Sequence, residues 1–101
     1  MKALELRQLR YFAILARELH FGRAADVACV TQPALSQQIA KLEALVGMPL
    51  FTRDARGVTL TPAGDALRDG VEQVFGQLDL ALRAARGAGK DQGFTLSIGL
   101  V

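Results

Sequence analysis

The sequence predicts a mainly α-helical chain: three short helices, a two-stranded hairpin, and one long helix after it. Three observations carry this. Apolar residues recur at helical spacing in Leu6–Leu19, Leu35–Val46 and Leu67–Ala85. Thr with Pro close behind it occurs at Thr31-Gln32-Pro33 and at Thr61-Pro62. Each marks a helix start, because Thr is a preferred N-cap and Pro in the first turn loses only an N–H that has no partner there. Between these signals, Leu50-Phe51 and Val58-Thr59-Leu60 flank a turn-like Asp-Ala-Arg-Gly, the pattern of a short β-hairpin.

The first helix places Leu6, Leu9, Phe12, Ala13, Ala16 and Leu19 on one face, with Arg7, Arg10, Arg17 and Glu18 mainly elsewhere. Tyr11, Ile14 and Leu15 widen the apolar surface and suggest a second packing partner. His20-Phe21-Gly22 breaks this helix, and His20 reads as a boundary residue. In Arg23–Ala28 the small residues Ala24, Ala25, Val27 and Ala28 let a following helix cross at close range. Two short helices joined by a tight corner, about residues 21–40, form a helix-turn-helix. The corner Cys29-Val30 lacks a glycine, so it must use ordinary backbone angles or strain a non-Gly residue.

The helix opened by Thr31 buries a stripe of Leu35, Ile39, Leu42, Leu45 and Val46 and ends near Gly47. Its opposite face carries Gln32, Ser36, Gln37, Ala40 and Lys41, with no acid until Glu43. An amide-rich face suits the edges of base pairs, since Gln donates and accepts in one geometry. Gly57 supplies the positive φ of the hairpin turn, and Arg53 and Arg56 flank its tip. A hairpin with cationic tips beside such a helix is a wing, placed to meet a phosphate backbone or minor groove.

The last helix runs from Pro62 to about Arg86, with Asp65 and Asp69 near its start and Arg83 and Arg86 near its end, as the helix dipole favours. Leu67, Val71, Val74, Leu78, Ala81 and Ala85 alternate at four and three, a heptad-like seam, with Phe75 and Leu82 beside it. A helix of about 25 residues is about 37 Å long, too long for a core of this size to cover, so pairing with a second copy is expected. Residues 87–93 read as a flexible link and 94–101 as an alternating strand that starts a further domain.

Composition narrows the chemistry. The 101 residues suffice for one domain with an appendage, and the net charge is only +2. Its distribution is uneven: residues 1–61 hold eight Lys/Arg against five Asp/Glu, and residues 62–93 hold four against five. The basic excess lies with the helix-turn-helix and its hairpin. One Cys and one His leave no disulfide framework, no metal set, and too few groups for a nucleophile, base and orienter. Cys29 reads as a small buried packing residue. No cofactor is expected, no apolar run reaches membrane-spanning length, and a cytoplasmic, non-enzymatic protein follows.

The order Leu6-Arg7-Gln8-Leu9-Arg10-Tyr11-Phe12, Ala24-Ala25, Thr31-Gln32-Pro33-Ala34-Leu35-Ser36, Gln38-Ile39 and Leu42-Glu43 resembles the DNA-binding domain of the LysR-type transcriptional regulators. Gly47, Pro49-Leu50-Phe51, Arg53, then Leu60-Thr61 and Ala63-Gly64 are similar too, over residues 4 to 90. The resemblance implies a winged helix-turn-helix in residues 1–61 and a linker and dimerisation helix in 62–86. It implies binding of double-stranded promoter DNA as a homodimer, with tetramers of the whole protein and a small-molecule effector bound elsewhere in it. It places Thr31, Gln32, Pro33, Ser36 and Gln37 at the major groove and Arg53 and Arg56 at the wing. Arg23, Ala34 and Lys41 are expected at DNA beside them, and Leu67, Val71, Val74, Phe75, Leu78 and Leu82, on or beside the seam, at the dimer interface. The family often has Arg at Gln37, so Gln there moves the preferred base from guanine toward adenine. It often has Thr or Ser at Gly22, which implies a missing cap or phosphate contact. Two rival readings stay open: a dimeric protein-interaction module, and a different class of winged-helix regulator.

Overall fold

The computed structural model describes residues 4–91; the expected strand at 94–101 and the end of the link at 92–93 lie outside them. The elements are α1 (Leu6–Glu18), α2 (Phe21–Ala28), α3 (Gln32–Val46), β1 (Phe51–Asp54), β2 (Gly57–Leu60) and α4 (Pro62–Asp91). β1 and β2 pair antiparallel with Phe51 opposite Leu60 and Asp54 opposite Gly57. The expected mainly α architecture with a two-stranded wing is what the chain forms.

Phe12, Leu15, Leu35, Leu42 and Leu50 are fully buried and hold α1, α3 and the wing base together. Burial of each such side chain stabilises by roughly 1.5–3 kcal/mol. Ala24, Ala25 and Ala28 are buried where α2 packs, while Val27, expected with them, faces outward and is exposed. The Phe12 and Phe51 rings meet at 5.4 Å and 54°. The buried face of α1 is rotated from the expected one: Ile14 and Leu15 are core, while Leu6 and Leu19 are exposed. Leu19 leaves the helix at φ 52°, its amide bonded back to Leu15, so its side chain falls out of the helical register. The apolar surplus at Ile14 and Leu15 therefore belongs to this core and not to a second partner. In α3, Leu45 and Val46 of the final turn are exposed rather than buried.

The corner between α2 and α3 is bought with strain. Cys29 sits at φ 61°, and the bonds Cys29 N–H to the Asp26 carbonyl and Val30 N–H to the Ala25 carbonyl close a Schellman motif. Its thiol is exposed, which corrects the buried reading: a left-handed cap points its side chain away from the helix face it ends. α2 does not lack a cap. His20 supplies it, Nδ1 accepting the Arg23 amide at 3.0 Å.

α4 continues to Asp91, past the expected stop at Arg86, so Gly87–Asp91 is helical rather than a loose link. The chain divides into two compact units, and the first ends at Val71, ten residues beyond the boundary expected at 61.

Candidate nucleic-acid interface

Thr31 fixes where the exposed face of α3 begins. Its Oγ1 accepts the Ala34 amide at 3.3 Å and its carbonyl accepts the Leu35 amide at 3.0 Å. With Leu35, Ile39 and Leu42 buried, Gln32, Pro33, Ala34, Gln37, Ala40 and Lys41 are exposed, and Ser36 is half-buried on one flank. These are the residues expected at the reading face, and one continuous helix brings them together.

Glu43 explains how that face stays free of acid. Its Oε2 accepts the amides of Leu50 at 2.8 Å and Phe51 at 3.3 Å. The carboxylate thus fastens the start of β1 to α3. Sequence reasoning missed this clamp; the signal was a lone acid following a basic and amide run.

Gln8 is a buried polar residue of α1, and sequence reasoning missed its role as well. Its Oε1 accepts the Glu5 amide at 3.1 Å, which turns its NH₂ toward Gln38 Oε1 at 3.2 Å. The bond ties α1 to α3, so the exposed face is set from behind by a polar contact as well as by the apolar stripe.

The wing differs from expectation at Arg53. Arg56 is in the turn, where its amide bonds Asp54 Oδ1 at 2.8 Å, but Arg53 lies within β1 opposite Val58. Its guanidinium carbon sits 3.9 Å from the centroid of the Phe21 ring, at the first residue of α2. Phe21, Ser36, Ile39, Ala40, Glu43, Phe51 and Arg53 line a small cleft of about 190 Å³ between α3 and the wing. Arg53 therefore stands beside the exposed helix face and not at the hairpin tip. Arg23 stands apart from this group: its guanidinium bonds the Glu18 carbonyl at 3.1 Å and lies 3.7 Å from the Glu18 carboxylate.

Among the residues expected at a dimer interface, Val71 is 2% exposed within the first unit, so it is core and has no surface left for a second chain. Val74, Leu78 and Leu82 are 47%, 37% and 48% exposed. Leu67 and Phe75 are intermediate. Among the described residues no helix is long and apolar enough to cross a membrane, and no cluster of His, Cys, Asp or Glu could hold a metal.

Comparison with known proteins agrees with this geometry. The pattern for "Bacterial regulatory helix-turn-helix protein, lysR family" matches residues 6–65. The chain is 50% identical over 97 residues to the HTH-type transcriptional regulator BudR of Klebsiella aerogenes, covering 96% of this chain and 68% of that protein. It is 45% identical over 98 residues to a probable cat1 operon transcriptional activator of Acinetobacter lwoffii, covering 97% of this chain but 32% of that one. Among solved structures, a BenM DNA-binding domain in complex with catB site 1 DNA superposes with a TM-score of 0.82 at 35% identity, over 85% of this chain and 97% of that one. Vibrio fischeri DarR in complex with DNA gives 0.80 at 31% identity, over 86% and 30% of the two chains.

Proposed function

The chain belongs to the lysR family of bacterial regulatory helix-turn-helix proteins, and from that premise we propose that it binds promoter DNA sequence-specifically and regulates transcription. The observation that carries this is the capped, acid-free, exposed face of α3 from Gln32 to Lys41. α3 enters the major groove, Gln32 and Gln37 meet base edges, and Thr31, Ser36 and Lys41 contact the flanking backbone. Arg53 and Arg56 contact phosphates from the wing side. Solved relatives of 35% and 31% identity hold DNA and share this fold, which supports the placement.

The binding unit is a homodimer joined through the exposed face Val74, Leu78 and Leu82 of α4, with residues 62–91 as the linker helix. Two copies of α3 then read half-sites about one helical turn, or a small multiple of it, apart. The chain spans about a third of the Acinetobacter relative. Tetramer formation and control by a small-molecule effector are accordingly proposed for the whole protein. Its role is regulatory rather than enzymatic, and it works in the cytoplasm where the promoter is. A protein-interaction module would leave the amide face of α3 without a purpose.

Selection of duplexes from a randomised library by the 101-residue chain tests the proposal. Enrichment of paired, inverted half-sites supports it. Binding without enrichment of any sequence would refute specific reading.

A further inference from the structure

We infer that Phe21 is a positioning residue for DNA binding: its ring holds the Arg53 guanidinium in place beside the exposed face of α3 before DNA arrives. The inference rests on the proposed phosphate contact of Arg53 and adds to it a residue that touches no nucleic acid. Arg53 is exposed, and a free arginine there would sample many rotamers. Instead its Cζ lies 3.9 Å from the Phe21 centroid, well inside the range of about 6 Å for a cation over an aromatic face. Phe21 is itself held, half-buried as the first residue of α2, where His20 caps the helix.

No other contact among the described residues accounts for the pose of that side chain. Among the described residues Arg53 has no carboxylate within ion-pair distance. Glu43, which lines the same cleft, has Oε2 engaged by the amides of Leu50 and Phe51. The stacking uses one face of the guanidinium and leaves its N–H edge donors free for phosphate, the planar fork that arginine offers and lysine lacks. The ring spans from α2 to β1, so it also sets the wing arginine relative to the helix-turn-helix. An arginine held in its binding pose loses less freedom when it meets the anion.

The test measures affinity of the full chain for one random-sequence duplex across a salt series, for wild type, F21L, F21M, F21Y, R53A and F21L/R53A. Thermal melts of the same samples report folding. R53A should lower the slope of log affinity against log salt by about 0.9, the share of one phosphate. F21L and F21M should weaken binding about two- to fivefold, the size of an exposed cation–π contact, and lower the slope in the same direction. F21Y should restore both, and F21L/R53A should bind like R53A alone. A ring that serves only the fold would lower the melting temperature and leave the slope of folded protein unchanged, which overturns the inference. F21L and R53A losses that simply add would overturn it too. If R53A keeps the wild-type slope, the phosphate contact of Arg53 is itself wrong, and the role of Phe21 falls with it.

Discussion

Gly64, in the first turn of α4, lies directly against the carbonyl of Leu50. A Cβ there would overlap the Leu50 carbonyl oxygen and come within 2.8 Å of Leu60 Cδ2. The same carbonyl accepts the Thr61 amide at 3.0 Å, and Thr61 Oγ1 donates to the Pro49 carbonyl at 2.8 Å while accepting the Gly64 amide at 3.0 Å. One glycine and one threonine thus join the end of the wing to the start of the long helix, and the backbone oxygen between them cannot move aside without losing its bond.

Gly64→Ala is expected to cost about 3 kcal/mol, the upper range for overpacking, read as a drop in melting temperature of more than about 10 °C. Gly70 and Gly76 are the contrast. A Cβ at either meets nothing within 4 Å, so Ala there should stabilise the helix by up to about 1 kcal/mol. Equal effects at Gly64 and Gly70 would mean that the approach to Leu50 is not tight in solution.

At the corner of the helix-turn-helix, Cys29 holds φ 61°. Cys29→Gly should be neutral to stabilising by about 1 kcal/mol, since glycine takes that backbone without steric cost. Cys29→Val should destabilise by about 1–2 kcal/mol, because a branched Cβ crowds the left-handed conformation. Urea denaturation of both variants checks the order Gly, then wild type, then Val.

Gln8→Leu removes both side-chain bonds that Gln8 makes behind α3, leaving the Glu5 amide and Gln38 Oε1 without their partner. A loss of about 1–3 kcal/mol follows for groups left unsatisfied. Gln8→Leu and Gln38→Leu together should cost less than the sum of the two, since they share one bond. Strict additivity in a denaturation cycle would show that the contact contributes nothing.

For the dimer, Val74→Glu and Leu78→Glu place charges on the exposed stripe of α4. Light scattering should give twice the chain mass for wild type and the single-chain mass for each variant. A wild-type chain that scatters as a monomer at the highest concentration tested would remove this stripe as the interface.

What could be read in the sequence is what local chemistry dictates. The Thr31 cap with Pro33 behind it, the Gly47 stop, the Gly57 turn and the Thr61 start each depend on a few adjacent residues, and each is where it was expected. Contacts between distant residues could not be read. Phe21 under Arg53 and Gln8 against Gln38 leave no period in the sequence because they join separate elements. The α1 face was misjudged because Tyr11, Phe12, Ile14, Leu15 and Ala16 surround most of the helix with apolar groups, and periodicity cannot rank them. Val71 fitted the α4 seam as well as Val74 did. Only the packing of the first unit, which ends there, separates the core residue from the exposed ones. Glycines at 87 and 89 suggested a link, yet the helix runs through both; the cost of about 1 kcal/mol each does not stop a helix already nucleated.

If the exposed amides of α3 read bases, Gln32→Ala must weaken binding at particular base pairs and not at others. Affinity would be measured for a duplex selected by the wild-type chain and for a scrambled duplex of equal length, at one salt concentration. A loss of about 1–3 kcal/mol is expected on the selected duplex, five- to more than a hundredfold, with binding to the scrambled duplex unchanged. An equal loss on both duplexes, or no loss on either, would contradict base reading by α3.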